Sequence, residues 1–257
     1  MPYRHMMIPD LQVKRGVPLQ HIPAAANAIV HYKPDVLVLI GDYWDFPSLS
    51  RWSEKGSKEL EGARVLEDAE AGNEALAALL APAQAEMERL KRNKRKHWNL
   101  RIVYTMGNHD ERPARAAAAD PRLEGIVGPE LLKFPAGVEV HPFLEVVEIH
   151  GILYSHYFTP VNSQNAISGS IDNRLNKIGE TFVQGHAPGF LYGARPYPDG
   201  STRHGLVAGS YYLHDEEYKG RQGNGHWRGV VVMNGVENGD YDIMPLKMDY
   251  MLRKFGE

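Results

Sequence analysis

The sequence predicts an α/β fold, and three observations carry that prediction. Met6 to Pro9 is a short apolar run that stops at Asp10. Asp35-Val36-Leu37-Val38-Leu39-Ile40 is a stronger, β-branched run that stops at Gly41-Asp42. Such runs read as strands covered on both faces, because a strand with one wet face alternates polar and apolar residues. Between them, Leu19 to His31 is alanine-rich and closes at Lys33-Pro34, as a helix would. Strand, helix, strand is a crossover unit, with parallel strands and a right-handed connection. Ligands of open sheets built this way sit beyond the carboxyl ends of the strands, and both runs place an aspartate at that edge.

Ser57 to Lys96 is rich in Ala, Glu, Leu, Lys and Arg and is predicted helical, with Pro82 dividing it into two helices. The basic cluster Lys91 to Lys96 fits a solvated helix end, which the helix dipole favours. Leu100 to Met106 is a third strand, stopping at Gly107-Asn108-His109-Asp110. Val138 to Tyr154 reads as two strands of a hairpin with Gly151 near its turn, running into Ser155-His156. Thr181 to Gln184 is a short strand ending in Gly185-His186, and Leu206 to Ala208, Gly229 to Asn234 and Tyr241 to Pro245 add further β structure. Gly220 to Gly225 reads as a loop, too short to separate domains. With no internal repeat and no low-complexity linker, one domain spanning residues 1–257 is expected.

Composition narrows the function. A net charge of −3 leaves no electrostatic footprint for gripping nucleic acid without sequence preference. The absence of cysteine excludes disulfides and thiolate-held zinc, so any metal must be held by imidazole or oxygen. No apolar run approaches a membrane span and the start, Met1-Pro2-Tyr3-Arg4-His5, lacks a signal-peptide profile, so a cytoplasmic protein is expected.

Chemistry concentrates where strands end. Asp10, Asp42, Asn108, His156 and His186 each follow an apolar segment, and each can ligate a metal. Singly they have ordinary explanations, since Asp and Asn bond local backbone in turns. In succession, each at the downstream end of a strand, they point to one shared site. The segments Asp10-Leu11-Gln12, Gly41-Asp42-Tyr43-Trp44-Asp45, Gly107-Asn108-His109-Asp110 and Gly185-His186, with His156 before the last, resemble the calcineurin-like metallophosphoesterases. The resemblance runs from the first strand to the Gly209-Ser210 turn, and the surrounding text is similar to phage and bacterial members.

That resemblance implies a four-layer α/β/β/α sandwich, two mixed β-sheets flanked by helices. It implies two divalent ions bridged by Asp42, one held by Asp42, Asn108, His156 and His186, the other by Asp10 and Asp42. The family usually supplies two further histidines to the Asp10 site. Here those positions read Gln12 and Pro188, leaving Asp10, Asp42, a Gln12 carbonyl and waters. Mixed nitrogen and oxygen donors suit Mn, Fe, Zn or Ni, whereas the oxygen-rich site favours hard ions such as Mn²⁺ or Mg²⁺, so Mn²⁺ is expected. His204 is weighed as a substitute ligand against a buried or surface role, and the latter is preferred.

The family's motif implies His109 as general acid, with Asp45 bonding its other ring nitrogen. Asp110 reads as a helix N-cap ahead of Glu111-Arg112, and Arg112 and Arg115 are candidates to touch phosphate. Trp44, Trp52, Tyr157 and Phe158 lie close to motif residues, where they either stack on a base or pack the core. The expected function is hydrolysis of phosphate esters, nucleotides and nucleic acid included, with a diester favoured over a monoester. A non-catalytic scaffold that lost a metal is the competing class.

Overall fold

The computed structural model describes residues 2–50, 62–95, 97–216 and 220–256. Two mixed sheets face each other. The first has six strands in the order β11-β10-β1-β2-β3-β4, comprising β1 (Tyr3–Ile8), β2 (Val36–Leu39), β3 (Arg101–Thr105), β4 (Val138–His141), β10 (Gly229–Glu237) and β11 (Asp240–Lys247). β1 to β4 run parallel, and β10 and β11 are added antiparallel at one edge. The second has five strands in the order β5-β6-β7-β9-β8, from β5 (Val147–Ile149), β6 (Ile152–Tyr154), β7 (Phe182–Gln184), β8 (Phe190–Pro196) and β9 (Thr202–Ala208). Here β6, β7 and β9 are parallel, with antiparallel strands at both edges.

Strand alternation decides the layers. Along β1, Met6 and Ile8 face α1 (His21–Tyr32), α2 (Val65–Arg92) and α6 (Met248–Phe255), while Met7 faces the other sheet. Val36, Val38 and Val103 meet Ile152, Tyr154, Val183 and Leu206 between the sheets. On the far side, Phe182 packs with Phe158, Ile167 and Leu175, the last from α4 (Ile171–Ile178). The result is the expected α/β/β/α sandwich. Two smaller helices, α3 (Arg112–Ala119) and α5 (Gly220–Asn224), complete the set of described α-helices. Among the described residues no helix is long and apolar enough to cross a membrane.

Three readings of the sequence need correction. Pro82 does not divide the helix: α2 runs unbroken over 28 residues with Pro82 inside it. A proline removes one backbone hydrogen bond, but Leu76, Leu79, Leu80 and Ala83 on the same stripe are buried against the first sheet's helical layer, and that packing outweighs the defect. The predicted hairpin over Val138 to Tyr154 is only its second half, β5 and β6 turning at His150-Gly151; Val138–His141 instead adds in parallel to β3. Apolar alternation is the same for both partners, so only the fold separates them. Gly220–Asn224 is a short helix, not a loop.

Because Pro82 opposes the helix it sits in, Pro82→Ala is expected to raise stability by about 1 kcal/mol, or roughly 2–4 °C in Tm for a chain of this size. Thermal unfolding of the two proteins checks it, and an unchanged or lowered Tm would mean that the ring packs better than the missing hydrogen bond costs.

Candidate metal centre

The motif residues sit at the carboxyl ends of five parallel strands, three in one sheet and two in the other. Asp10 follows β1, Asp42 follows β2, Asn108 and His109 follow β3, His156 follows β6 and His186 follows β7. Glycines let these ends approach. Gly41 has φ +88°, and a Cβ on it would lie 2.5 Å from the Gly107 nitrogen. A Cβ on Gly107 would lie 2.2 Å from Asp42 Oδ1, and one on Gly185 would lie 2.5 Å from Asp10 Oδ1. Three of the candidate ligands are themselves left-handed without being glycine: Gln12 at φ 43°, Asp42 at φ 48° and His186 at φ 65°. Such backbone costs energy and persists where surrounding structure over-determines it, a pattern concentrated at functional sites.

At Asp42, what over-determines it is Asp110. Its carboxylate, 1% exposed, accepts from the backbone nitrogens of Asp42 (2.9 Å), Tyr43 (3.1 Å), Trp44 (3.2 Å) and Gly107 (2.7 Å), and from the Tyr104 hydroxyl (2.7 Å). The expectation that Asp110 caps a helix is therefore wrong. The residue preceding α3 is Glu111, which makes no capping bond, and Asp110 turns inward because the folded-back β2 loop offers it more donors than a helix end would.

Around this frame the ligands converge. One ligand atom each from Asp42, His156 and His186 lies within 4.8 Å of the others. His156 Nδ1 lies 2.7 Å from the Ile40 carbonyl and must donate to it, leaving Nε2 toward Asp42 Oδ2 at 3.3 Å and Asn108 Oδ1 at 3.2 Å. Asn108 Oδ1 also meets His186 Nδ1 at 2.9 Å. A ring nitrogen bearing no proton, set against two oxygens, is satisfied only by a proton or a cation. Without a cation the proton wins. Burial alone would lower the His156 pKa, but the neighbouring Asp42 carboxylate overrides it and lifts the pKa to about 9. Asp42 is held well below the carboxylate range, because His109 and His156 outweigh its burial. Asp10 is pushed up to about 7 by burial. Burial, reinforced by repulsion from His156, lowers His186 to about 4, leaving it a neutral imidazole ready to ligate. Carboxylates, an amide oxygen and imidazoles with a fixed outer hydrogen bond match the donor set and support of a transition-ion site.

The remaining candidates fall as follows. Asp10, Gln12, Asp42, Asn108, His109, His186, Pro188, Ser210 and Tyr212 line a cleft of about 140 Å³. Gln12 and Pro188 both line it, the first with an amide and the second with no side-chain donor. His204 does not: it lies in β9, with Nε2 2.6 Å from Asp240 and Nδ1 2.8 Å from the Tyr192 hydroxyl. His109 Nδ1 bonds Asp45 Oδ1 at 2.7 Å, as expected. Arg112 places Nη2 3.1 Å from His109 Nε2 and Nη1 on the Asp45 and Phe46 carbonyls. Of the aromatic candidates, Trp44 and Phe158 are core residues, and Trp52 lies outside the described residues. Tyr157 is half-buried against the His186 ring, with centroids 4.6 Å apart. Phe143 meets Tyr157 edge-on at 5.4 Å, and Arg115 covers Phe143 at 5.4 Å. Sequence reasoning missed Phe143, Ser210 and Tyr212, which no motif spacing marks; the Gly209-Ser210 turn was the only available signal. Compared with models of known families and with characterised proteins, the chain matches none.

Two predictions follow from this geometry. Asp110→Asn puts an amide donor among backbone donors and should cost about 2–3 kcal/mol in denaturant unfolding, with metal affinity falling alongside. The metal-free protein should lose stability as pH rises above about 7. The raised His156 pKa contributes stability that is full below about 6.5 and lost as pH climbs through about 9. The raised Asp10 pKa acts in the same direction, because the unfolded chain gives up that proton first, between about 3.8 and about 7. Tm measured from about pH 7 to about 9, above the range where the lowered His186 pKa acts the other way, should therefore fall without metal and flatten when Mn²⁺ is added, the ion taking the place of the proton.

Proposed function

We propose that this protein is a metal-dependent hydrolase of phosphate diesters. The observation that carries the reading is the His156 Nε2 position, aimed at Asp42 and Asn108 oxygens beside His186, which calls for a cation. Asp42, Asn108, His156 and His186 would hold one divalent ion, and Asp10, Asp42 and Gln12 a second, more weakly, because the latter set offers oxygen alone. Mn²⁺ suits both sets best. When bound, such ions neutralise charge on the phosphoryl oxygens and activate the attacking water.

The chain's own residues account for the rest. His109, with its Nδ1 fixed by Asp45, presents Nε2 3.8 Å from Asp42 Oδ2, at the mouth of the cleft. Asp42 and the Asp45 hydrogen bond overcome burial and raise its pKa against the opposing Arg112 charge. Arg112 Nη2, which can only donate, sits 3.1 Å from Nε2 and would have to move aside for the ring to hand a proton to the departing alkoxide. Among the described residues lining the cleft there is no Lys or Arg, and the nearby Arg112 is engaged with the Asp45 and Phe46 carbonyls and with His109 Nε2, which favours a singly charged diester over a doubly charged monoester. Tyr157 and Phe143, with Arg115 beside them, offer a half-exposed aromatic shelf next to His186 that suits a planar group such as a base.

Hydrolysis of bis-p-nitrophenyl phosphate is expected with Mn²⁺ and not with chelator, and faster than that of p-nitrophenyl phosphate. For a diester with a poor leaving group such as methyl phenyl phosphate, His109→Ala should lower kcat by about 10²–10⁴ with metal content unchanged, and by much less for the nitrophenyl esters. Calorimetric titration should resolve one tight and one weak ion. Loss of metal from His109→Ala would make it a ligand instead of an acid, and absence of hydrolysis with every divalent ion would assign the fold a binding role.

A further inference from the structure

The Asp45 carboxylate is 6% exposed and does more than orient His109. Oδ1 takes the His109 Nδ1 bond at 2.7 Å, while Oδ2 accepts from Lys14 Nζ at 2.8 Å. Lys14 Nζ in turn meets Glu216 Oε1 at 3.0 Å, and the same oxygen lies 2.8 Å from His214 Nε2. The Glu216 backbone nitrogen is tied to Asn224 Oδ1 at 2.9 Å. A continuous hydrogen-bonded chain therefore runs from His109 through Asp45 and Lys14 to Glu216 and His214, bridging the β1, β2 and β9 loops.

The local backbone explains why Lys14 is there. Val13 donates to the Tyr43 carbonyl at 2.7 Å, Asp45 donates to the Val13 carbonyl at 3.0 Å, and Val13 bridges Trp44 in parallel. The two loops continue the β1–β2 pairing beyond the strands, so the residue after Val13 is delivered alongside Asp45. Lysine is a flexible side chain, and ordering it costs rotamer entropy. Two carboxylates hold it with its side chain 18% exposed. A carboxylate with one occupied oxygen can rotate about its Cβ–Cγ bond; with both occupied by charged donors it is fixed.

We propose that Lys14, anchored by Glu216, is a positioning residue that acts through Asp45 to hold His109 in its proton-donating orientation. The inference rests on the reading of His109 as general acid. Lys14 touches neither the cleft nor the reacting atoms, so its removal affects only the step that needs the proton. That step matters in proportion to how poor the leaving group is: phenolate needs protonation, and p-nitrophenolate departs with little help.

The test uses the full chain loaded with Mn²⁺ and two diesters that differ only in leaving group, methyl p-nitrophenyl phosphate and methyl phenyl phosphate. Lys14→Met should lower kcat for the phenyl ester at least about tenfold more than for the nitrophenyl ester, with KM and bound Mn²⁺ unchanged. Lys14→Arg should restore most of the loss, and Glu216→Gln should show the same leaving-group bias at smaller size. An active wild type whose Lys14→Met variant loses both esters equally, or neither, overturns this inference alone. A wild type inactive on both esters overturns the hydrolase reading and this inference with it.

Discussion

One buried carboxylate organises the site. Asp110 accepts four backbone hydrogen bonds from the ends of β2 and β3, together with the Tyr104 hydroxyl. Those bonds fold the Gly41-to-Trp44 loop back over Gly107 and keep Asp42 in a left-handed conformation that it would not adopt alone. Several neighbouring site residues are arranged relative to Asp42. His109 donates its backbone nitrogen to Asp42 Oδ1 at 2.8 Å, Gln12 donates its own to the Asp42 carbonyl at 2.9 Å, and His156 faces Oδ2. A site of this kind is preorganised by its scaffold, so little ordering remains to be done when an ion arrives.

Preorganisation creates an electrostatic problem with a definite answer. Asp10 and Asp42 are each 2% exposed and share a cleft with Asn108 Oδ1, so negative and acceptor groups crowd a space with few donors. Burying charge without a partner is costly. In the protein alone the compensation is protonation, seen in the raised pKa values of His156 and Asp10. A divalent cation would supply the same compensation with more charge and no proton, which would tie metal affinity to pH and to fold stability through one set of residues.

The two halves of the site are unequal for a chemical reason. The Asn108–His156–His186 side pairs imidazole nitrogens with an amide oxygen and a carboxylate. The Asp10 side has oxygen donors from Asp10 and Gln12, and Pro188 lines the cleft without a side-chain donor. Beyond it, Ser210 Oγ lies 2.8 Å from His226 Nε2, so an imidazole stands one atom removed from the cleft wall. On the proposed reading the Asn108–His156–His186 side would hold one ion strongly, and the neighbouring position would suit an oxygen-loving one.

The residue patterns alone determined the α/β class and picked out the strand-end residues that converge on the cleft, because both are written in local patterns. The four-layer arrangement was only what the family resemblance implied. Apolar runs such as Val36 to Ile40 declare buried strands, and a glycine followed by Asp, Asn or His at a strand end declares a turn with a functional side chain. What only the tertiary structure decided is which groups meet. Strand pairing leaves no local trace, so Val138–His141 and Val147–Ile149 could not be told apart as partners, and packing carried α2 through Pro82 against local propensity. The inward turn of Asp110, the placement of Lys14 beside Asp45 across 31 residues and the reach of Glu216 to Lys14 across 202 all depend on loops from different strands touching. Hydrogen bonds over such separations are fixed by the fold's topology, and no spacing along the chain encodes them.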